Sequence, residues 1–190
     1  MMEQESYWNE VSETKIFTTP FHAEEFTRYV DKEKTILDVG CGYGRTLGEI
    51  HRLGYCHLTG MDFSEGMIKR GRAQYPWLDL RVMQTEEIDL PDGSVDAVIL
   101  FAVLTCIRED EKQRKLIGEI QRVLRPGGIL YVNDFLLNTD ERNTARYEKY
   151  RERYQKYGVF ELPEGAVCRH HEESWIQRLL SGFTGLRYEH

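Results

Sequence analysis

Residues 35–47 read T-I-L-D-V-G-C-G-Y-G-R-T-L, and this stretch decides how the rest of the chain is interpreted. The apolar run at 36–39 has the length and composition of a buried parallel strand. Residues 45–53 then have the pattern of a helix. Between strand and helix, every second residue is a glycine: Gly40, Gly42 and Gly44. The stretch therefore predicts a strand, a tight glycine turn and a helix in direct succession.

The chemistry of this turn predicts a ligand pocket. Glycine adopts positive φ and has no Cβ, so a ligand can approach the backbone closely. The free N–H groups at the start of the following helix favour electron-rich or anionic groups. Asp38, at the end of the strand, can accept hydrogen bonds from a ligand amine or hydroxyl. Together these features describe a pocket for a nucleotide-like molecule.

The arrangement resembles the first motif of the class I S-adenosylmethionine-dependent methyltransferases, apolar-apolar-D/E-x-G-x-G-x-G. Nicotinamide-dependent dehydrogenases use G-x-G-x-x-G instead, and Arg45 stands where their third glycine would be. Those enzymes also do not usually carry an acid two residues before the first glycine. A nicotinamide oxidoreductase is therefore the alternative from another enzyme class, and Asp38 and Arg45 count against it.

Length and charge restrict the class of protein. The 190 residues predict one domain, and the net charge of −7 disfavours nucleic acid as a partner. No basic, apolar leader and no run of about 18 apolar residues is present, so we expect a cytoplasmic protein without a membrane segment. The scattered cysteines predict neither disulfides nor a metal site; they are Cys41, Cys56, Cys106 and Cys168.

A second acid follows the second predicted strand. Asp62 lies 18 residues after Gly44, where a parallel α/β fold has a carboxylate that can bind both ribose hydroxyls. Ser64 is suited to cap the next helix. Phe63 and Met67 can pack on an adenine ring, although Met67 is equally suited to the core.

The adenine edge has no clear acidic partner in the sequence. Family members often carry an acid and a small residue after strand three, whereas this chain has Gln84 and Thr85, with Glu86 as a further alternative. At the end of the fourth strand, four residues are expected to face the reaction site: Phe101, Ala102, Leu104 and Thr105. The resemblance therefore implies this cofactor-binding set: Asp38, Gly40, Cys41, Gly42, Gly44, Asp62, Phe63, Met67, Gln84, Thr85, Glu86 and Phe101.

Later motifs extend the resemblance to Asp134. An amphipathic helix is predicted over 109–124, and L-R-P-G-G-I-L-Y-V at 124–132 resembles the family's later motif and opens strand five. The family implies a three-layer, Rossmann-like, doubly wound α/β fold with a mostly parallel sheet in the order 3-2-1-4-5. We expect a sixth strand at 184–189; the family's seventh strand has no counterpart, so this is a short member or has lost that strand.

The expected single domain has three parts: an N-terminal helical lid at 1–34, a cofactor-binding core at 35–134, and acceptor-side helices with a last strand at 135–190. Tyr7 and Trp8 are either docking anchors or lid residues. Tyrosines spaced three or four apart over 147–157 form a packing face or line a substrate pocket. The segment at 158–171 is predicted to be a loop or a short hairpin.

By resemblance, the function is methyl transfer by in-line displacement, with S-adenosylmethionine as cofactor and a small-molecule acceptor favoured. A general base is needed only if the acceptor must lose a proton. The candidates, on position alone, are Tyr7, Asp134, His170 and His171. A non-catalytic S-adenosylmethionine-binding module is the second alternative, and an RNA methyltransferase is disfavoured by the acidic charge.

Overall fold

The computed structural model describes residues 4–189, and a five-stranded parallel sheet lies at its centre. The strand order is β3-β2-β1-β4-β5, as the sequence predicts. The strands are β1 (Ile36–Val39), β2 (Leu58–Asp62), β3 (Asp79–Val82), β4 (Val95–Phe101) and β5 (Leu124–Asn133). In this order β1 and β4 are neighbours, and the chain reverses its direction of travel across the sheet between them. The switch point in strand order therefore lies between β1 and β4.

The central strand explains why both faces of the sheet are covered. Every residue of β1 is buried, and its side chains alternate between two hydrophobic cores because successive residues of a strand point to opposite faces. Ile36 packs in one core with Leu47 of the following helix. Leu37 packs in the other core with Ile117. A strand buried on both faces has no polar side, which is why 36–39 reads as an almost continuous apolar run.

Helices cover both faces, giving three layers. The helices are α1 (Glu5–Glu10), α2 (Ala23–Tyr29), α3 (Arg45–Arg52), α4 (Glu65–Gln74), α5 (Asp110–Val123), α6 (Glu141–Tyr154) and α7 (Glu173–Leu179). Helices α2, α3 and α4 pack on one face, and α5 and α7 pack on the other. A short 3-10 turn, Leu104–Cys106, follows β4. Within residues 4–189, no helix has the length and apolar content needed to cross a membrane.

The prediction of a sixth strand at 184–189 is wrong. No strand is present there, and the side chains of this tail form ion pairs instead of a ladder, with Arg187 reaching Glu25 and Glu189. The remaining two strands form a separate antiparallel hairpin, β6 (Val159–Glu161) and β7 (Val167–Arg169). This hairpin lies within the segment that the sequence marked as a loop or short hairpin.

The tyrosines of α6 form mainly a packing face. Tyr147 is fully buried and its ring contacts those of Phe160 and His170. Tyr154 is half-buried and its hydroxyl donates to Glu161 on β6. Helix α6 is thereby fixed on the hairpin. Among the described residues, none of these tyrosines lines the cavity found beyond the strand ends.

Candidate active site

A cavity lies beyond the carboxyl ends of β1, β2 and β4, where ligands bind in open parallel sheets. The cavity and the open space at its mouth together measure about 940 Å³. Its lining residues are Trp8, Phe17, Thr19, Asp38, Gly40, Cys41, Gly42, Arg45, Thr46, Asp62, Phe63, Met67, Phe101, Ala102, Val103 and Cys106.

The glycine turn is held against β2 by a carboxylate. Gly42 N–H donates to Asp62 Oδ2 at 2.9 Å, and Ser64 N–H donates to Asp62 Oδ1 at 2.8 Å. Gly40 and Gly42 have φ of +74° and +56°, which side-chain-bearing residues rarely adopt. Burial raises the pKa of Asp62 above its usual range, while the two N–H groups oppose that shift. The loop and the acid are therefore one preorganised unit.

The cavity contains a second acid, Asp38, only 2% exposed. Among the described residues no donor hydrogen-bonds to its carboxyl group, so this acceptor is available to a ligand. Burial, and then the neighbouring Asp62, raise the pKa of Asp38 to about 7, and the Arg45 guanidinium opposes them. Two carboxyl groups in one apolar cavity favour a ligand that brings hydroxyl or ammonium donors.

Arg45 is the cation of the cavity wall. Its Nη1 contacts Glu49 Oε1 at 2.9 Å, and its Nη2 donates to the carbonyl oxygen of Thr19 at 2.8 Å. Its Nε–H is enclosed and has no hydrogen-bond partner among the described residues. A buried donor without a partner costs about 1–3 kcal/mol, so a ligand acceptor beside it would be favoured.

The N-terminal strap, defined as residues 4–21, covers the cavity. Trp8, Phe17 and Thr19 contribute to its wall. Phe17 lies directly on the glycine turn: a Cβ built on Gly42 would come within 2.8 Å of the Phe17 ring. The Phe17 ring also stacks on Tyr43 at 5.3 Å. Gly42 is thus required both for its positive φ and for the close approach of the strap.

Helix α4 provides the second docking surface for the strap. Asn9 Oδ1 accepts from Ser64 Oγ at 2.8 Å and from Gly66 N–H at 3.0 Å. Arg70 Nη1 donates to the carbonyl oxygens of Ser12 and Lys15, each at 2.8 Å. Ser12 lies against Gly66, where a Cβ would meet Ser12 Oγ at 2.4 Å. The strap is therefore fixed to α4 and to its N-terminal cap, beside the cavity.

Most of the cofactor-binding residues predicted from the sequence meet at this cavity. Eight line it: Asp38, Gly40, Cys41, Gly42, Asp62, Phe63, Met67 and Phe101. Gly44 instead begins α3 and packs on Leu80. Gln84 and Thr85 are exposed, and Glu86 forms an ion pair with Lys115 at 3.5 Å. The assignment of Gln84, Thr85 or Glu86 to the adenine edge stays a prediction.

The four candidate bases do not line the cavity. His171 is buried and contacts the Phe135 carbonyl oxygen through Nδ1 at 3.2 Å, and Gln113 through Nε2 at 2.9 Å. Burial lowers its pKa to about 4. His170 lies between α6 and the hairpin. The Tyr7 hydroxyl is buried beside Lys15, and burial raises its pKa.

Asp134 lies behind the 3-10 turn at the end of β5. Its carboxyl group accepts from Phe135 N–H at 2.9 Å and from Thr105 N–H at 3.2 Å. Burial raises its pKa to about 7, against the effect of these two N–H groups. Val103 directly before this turn and Cys106 at its end line the cavity, so Asp134 supports the cavity wall without forming part of it.

Sequence reasoning missed several residues of the wall. The sequence motif treats Arg45 only as the residue that replaces a third glycine. Its position directly after the glycine turn is nevertheless a signal that could place it in the cavity wall. Phe17 and Thr19 lie in a segment whose path depends on tertiary contacts. Ala102, in contrast, is predicted to face the reaction site and does line the wall, whereas Leu104 and Thr105, predicted with it, do not. Only its φ of +56° has no signal in the sequence. The other missed residues are Thr46 and Val103.

Comparisons with known proteins agree with this geometry. Residues 37–132 match the family described as "Methyltransferase domain". The chain is 33% identical over 126 residues to a phosphatidylethanolamine N-methyltransferase of Cereibacter sphaeroides, covering 60% of this chain and 59% of that protein. It is 30% identical over 166 residues to a demethylmenaquinone methyltransferase of Listeria welshimeri, covering 83% of this chain and 66% of that protein. Thus it spans less than two thirds of either relative.

A solved structure shows the same fold. The crystal structure of an S-adenosylmethionine-dependent methyltransferase from Methanosarcina mazei superposes with a TM-score of 0.79 at 24% identity, covering 88% of this chain and 84% of that one. The family match spans about half of the chain and includes the glycine turn and Asp62. The chain therefore belongs to the family described as "Methyltransferase domain". Membership of this family counts against the nicotinamide alternative.

The residues present fit S-adenosylmethionine. Asp62 offers a carboxylate for the ribose hydroxyls, the glycine turn leaves room for the ligand beside the backbone, and Asp38 offers an unused acceptor. The Arg45 Nε–H adds an unused donor in the same wall.

Substituting Gly66 tests how the strap is held. A methyl group in Gly66→Ala must displace Ser12, and overpacking of this kind costs about 1–3 kcal/mol. We expect the strap to open more often, with tryptic cleavage after Lys15 about tenfold faster or more. Gly118→Ala on α5 is the matched control, because nothing lies within 4 Å of its added Cβ. Equal cleavage rates in the two variants would show that the strap does not depend on Gly66.

The pKa of Asp38 predicts a pH dependence of cofactor binding. A ligand donor binds the ionised carboxyl, so below pH 7 the proton on Asp38 must first leave. We expect the affinity for S-adenosylhomocysteine to fall by up to about tenfold per pH unit below pH 7 and to level off above it. Calorimetry between pH 5.5 and 8.5 measures this slope. Asp38→Asn should flatten it, and an unchanged slope in that variant would contradict the assignment.

Proposed function

We propose that this chain transfers the methyl group of S-adenosylmethionine to a small, largely apolar acceptor. The observation that carries this proposal is the composition of the cavity wall. Its charged residues, Asp38, Asp62 and Arg45, are grouped around the glycine turn. Apart from Thr19 and Thr46, the other side chains of the wall are apolar, aromatic or thiols, including Trp8, Phe17, Phe101 and Val103. An acceptor held by that part of the wall needs little charge of its own.

The chemistry supplied by the bound cofactor is a methyl group on a sulfonium, which is already a strong electrophile. The residues of this chain would then act mainly by alignment and by exclusion of water. Asp62 and the glycine turn would hold the nucleoside end. Trp8 and Phe17 would close the cavity over the reacting groups, because the strap already lies across the turn.

Among the described residues, the wall offers no suitable general base beyond Asp38 and Asp62. Burial raises the pKa of the Cys106 thiol well above its ordinary value, and burial does the same for Cys41. Thiols in that state are poor bases and poor nucleophiles at neutral pH. We therefore infer an acceptor whose nucleophilic atom needs no proton removal by a cavity side chain, such as a neutral amine or an electron-rich ring carbon.

The named activities of two relatives support a lipid-like acceptor class. One relative is named for phosphatidylethanolamine and the other for demethylmenaquinone, and both acceptors carry long apolar portions. This similarity supports the class and does not identify the molecule, since the chain spans only part of each relative. Methylation of RNA is disfavoured by the net charge of −7. A cofactor-binding module without turnover is the second candidate.

A methyl-transfer assay against separated acceptor pools tests the proposal. Purified protein receives S-adenosylmethionine with a radioactive methyl group, together with a lipid extract, a pool of water-soluble small molecules, total RNA or total protein. We expect label in the lipid fraction, because the apolar wall favours partition of such acceptors. Phe17→Ala should lower that labelling at least about tenfold by opening the wall.

Ile16→Ala provides the matched control, because Ile16 neighbours Phe17 in the strap yet is 71% exposed and absent from the wall. Its labelling should equal that of the unmodified chain. Label confined to RNA or protein would overturn the small-molecule assignment. Tight cofactor binding with no label in any pool would favour the module without turnover.

A further inference from the structure

A second polar cluster lies outside the cavity, between α6 and the β6–β7 hairpin. It contains Asn143 and Arg146 on α6 and His170 directly after β7, beside the exposed ring of Phe135. Asn143 and Arg146 are three residues apart, so they share one face of the helix. None of these residues lines the cavity or has a role in the proposed methyl transfer.

Arg146 is a cation whose hydrogen-bonding capacity is largely unused. Its guanidinium stacks on the Phe160 ring, with Cζ 3.7 Å from the ring centroid. Its Nε–H is enclosed and has no partner, and no described carboxylate lies within ion-pair distance. Arg70 and Arg72 also lack a carboxylate partner, but both donate to main-chain carbonyl oxygens. A stacked guanidinium keeps its in-plane N–H groups for a planar or tetrahedral oxyanion.

His170 presents a second donor at the same place. Tyr147 is fully buried, and its Oη lies 2.6 Å from His170 Nδ1. Asn138 N–H donates to that same hydroxyl, and Nδ1 is the acceptor within reach of the Tyr147 hydrogen, so we assign the Tyr147 O–H as the donor to Nδ1. Burial, and then Arg146, lower the pKa of His170 to about 4. The neutral ring therefore carries its hydrogen on Nε2.

The two donors face each other. His170 Nε2 lies 3.4 Å from Arg146 Nη2, and two N–H groups cannot satisfy one another. They can share an acceptor oxygen placed between them. Asn143 adds the opposite need, because its Oδ1 is enclosed and accepts no hydrogen bond. The Asn143 N–H and amide both donate to Asp140, which leaves Oδ1 as the unused atom.

A ligand that meets all three needs must carry acceptor oxygens and a hydroxyl on the same group. A phosphate group with one protonated oxygen has both, with negative charge for Arg146. We propose that Arg146, His170 and Asn143 form a phosphate-binding site, with the exposed Phe135 ring at its edge. This site is independent of the proposed methyl transfer.

NMR titration of the complete, cofactor-free chain tests the site. The probe is inorganic phosphate at pH 6.5, and the observed signals are the ring resonances of His170. We expect a saturable shift of these resonances. Arg146→Gln should weaken binding about tenfold or more, since it removes a charge-assisted hydrogen bond. Arg146→Lys keeps the charge without the planar fork and should weaken binding less.

The matched control is Arg151→Gln on the same helix, whose side chain is 61% exposed and pairs with Glu148. It should leave phosphate binding unchanged within about twofold, because it is a solvated surface pair. Circular dichroism establishes that each variant is folded. Glycerol 3-phosphate distinguishes the two sources of the group: binding of the ester indicates a phosphorylated ligand, and exclusion of the ester indicates free phosphate.

Two results would overturn the proposal. The first is a His170 shift that does not saturate, which would mean that ordered water alone occupies the cluster. The second is equal binding by Arg146→Gln and Arg151→Gln. Because the titration uses no cofactor and measures no methyl transfer, its failure would leave the proposed function untouched.

Discussion

The paired hydrogen bonds from Gly42 and Ser64 to the Asp62 carboxyl are the interaction on which the site depends. They join the turn after β1 to the end of β2, so the glycine loop cannot move without the acid. The Phe17 ring also packs against Gly42, and the Ser64 hydroxyl donates a hydrogen bond to Asn9. One carboxyl group therefore fixes both the floor of the cavity and, through two neighbouring residues, the strap that covers it.

The sequence allowed the central sheet and much of the site to be predicted, because the motifs fix local structure. A buried apolar strand followed by glycines at alternate positions leaves few conformations, and acids at the carboxyl ends of neighbouring parallel strands must meet. The prediction at 184–189 failed because short alternation does not specify a pairing edge. Arg45 and Phe17 were missed because tertiary contacts decide where they lie.

Charge is distributed unevenly over the carboxyl edge of the sheet. The cavity concentrates two carboxyl groups and Arg45 around the glycine turn, next to an apolar wall. The α6–hairpin cluster instead presents donors, from Arg146 and His170, with no carboxylate paired to them among the described residues. Such a division favours donor-rich groups at the turn and acceptor-rich groups at the cluster.

Calorimetric titration with S-adenosylhomocysteine, with NADH as the competing dinucleotide, tests most directly whether Asp62 and the glycine turn form the cofactor site. We predict micromolar or tighter binding of S-adenosylhomocysteine, no binding of NADH, and a loss of about tenfold or more in Asp62→Asn, which cannot accept both ribose hydroxyls with a full charge. Asp89→Asn, an exposed aspartate outside the cavity, should bind like the unmodified chain. Equal affinity in Asp62→Asn and Asp89→Asn would contradict the account.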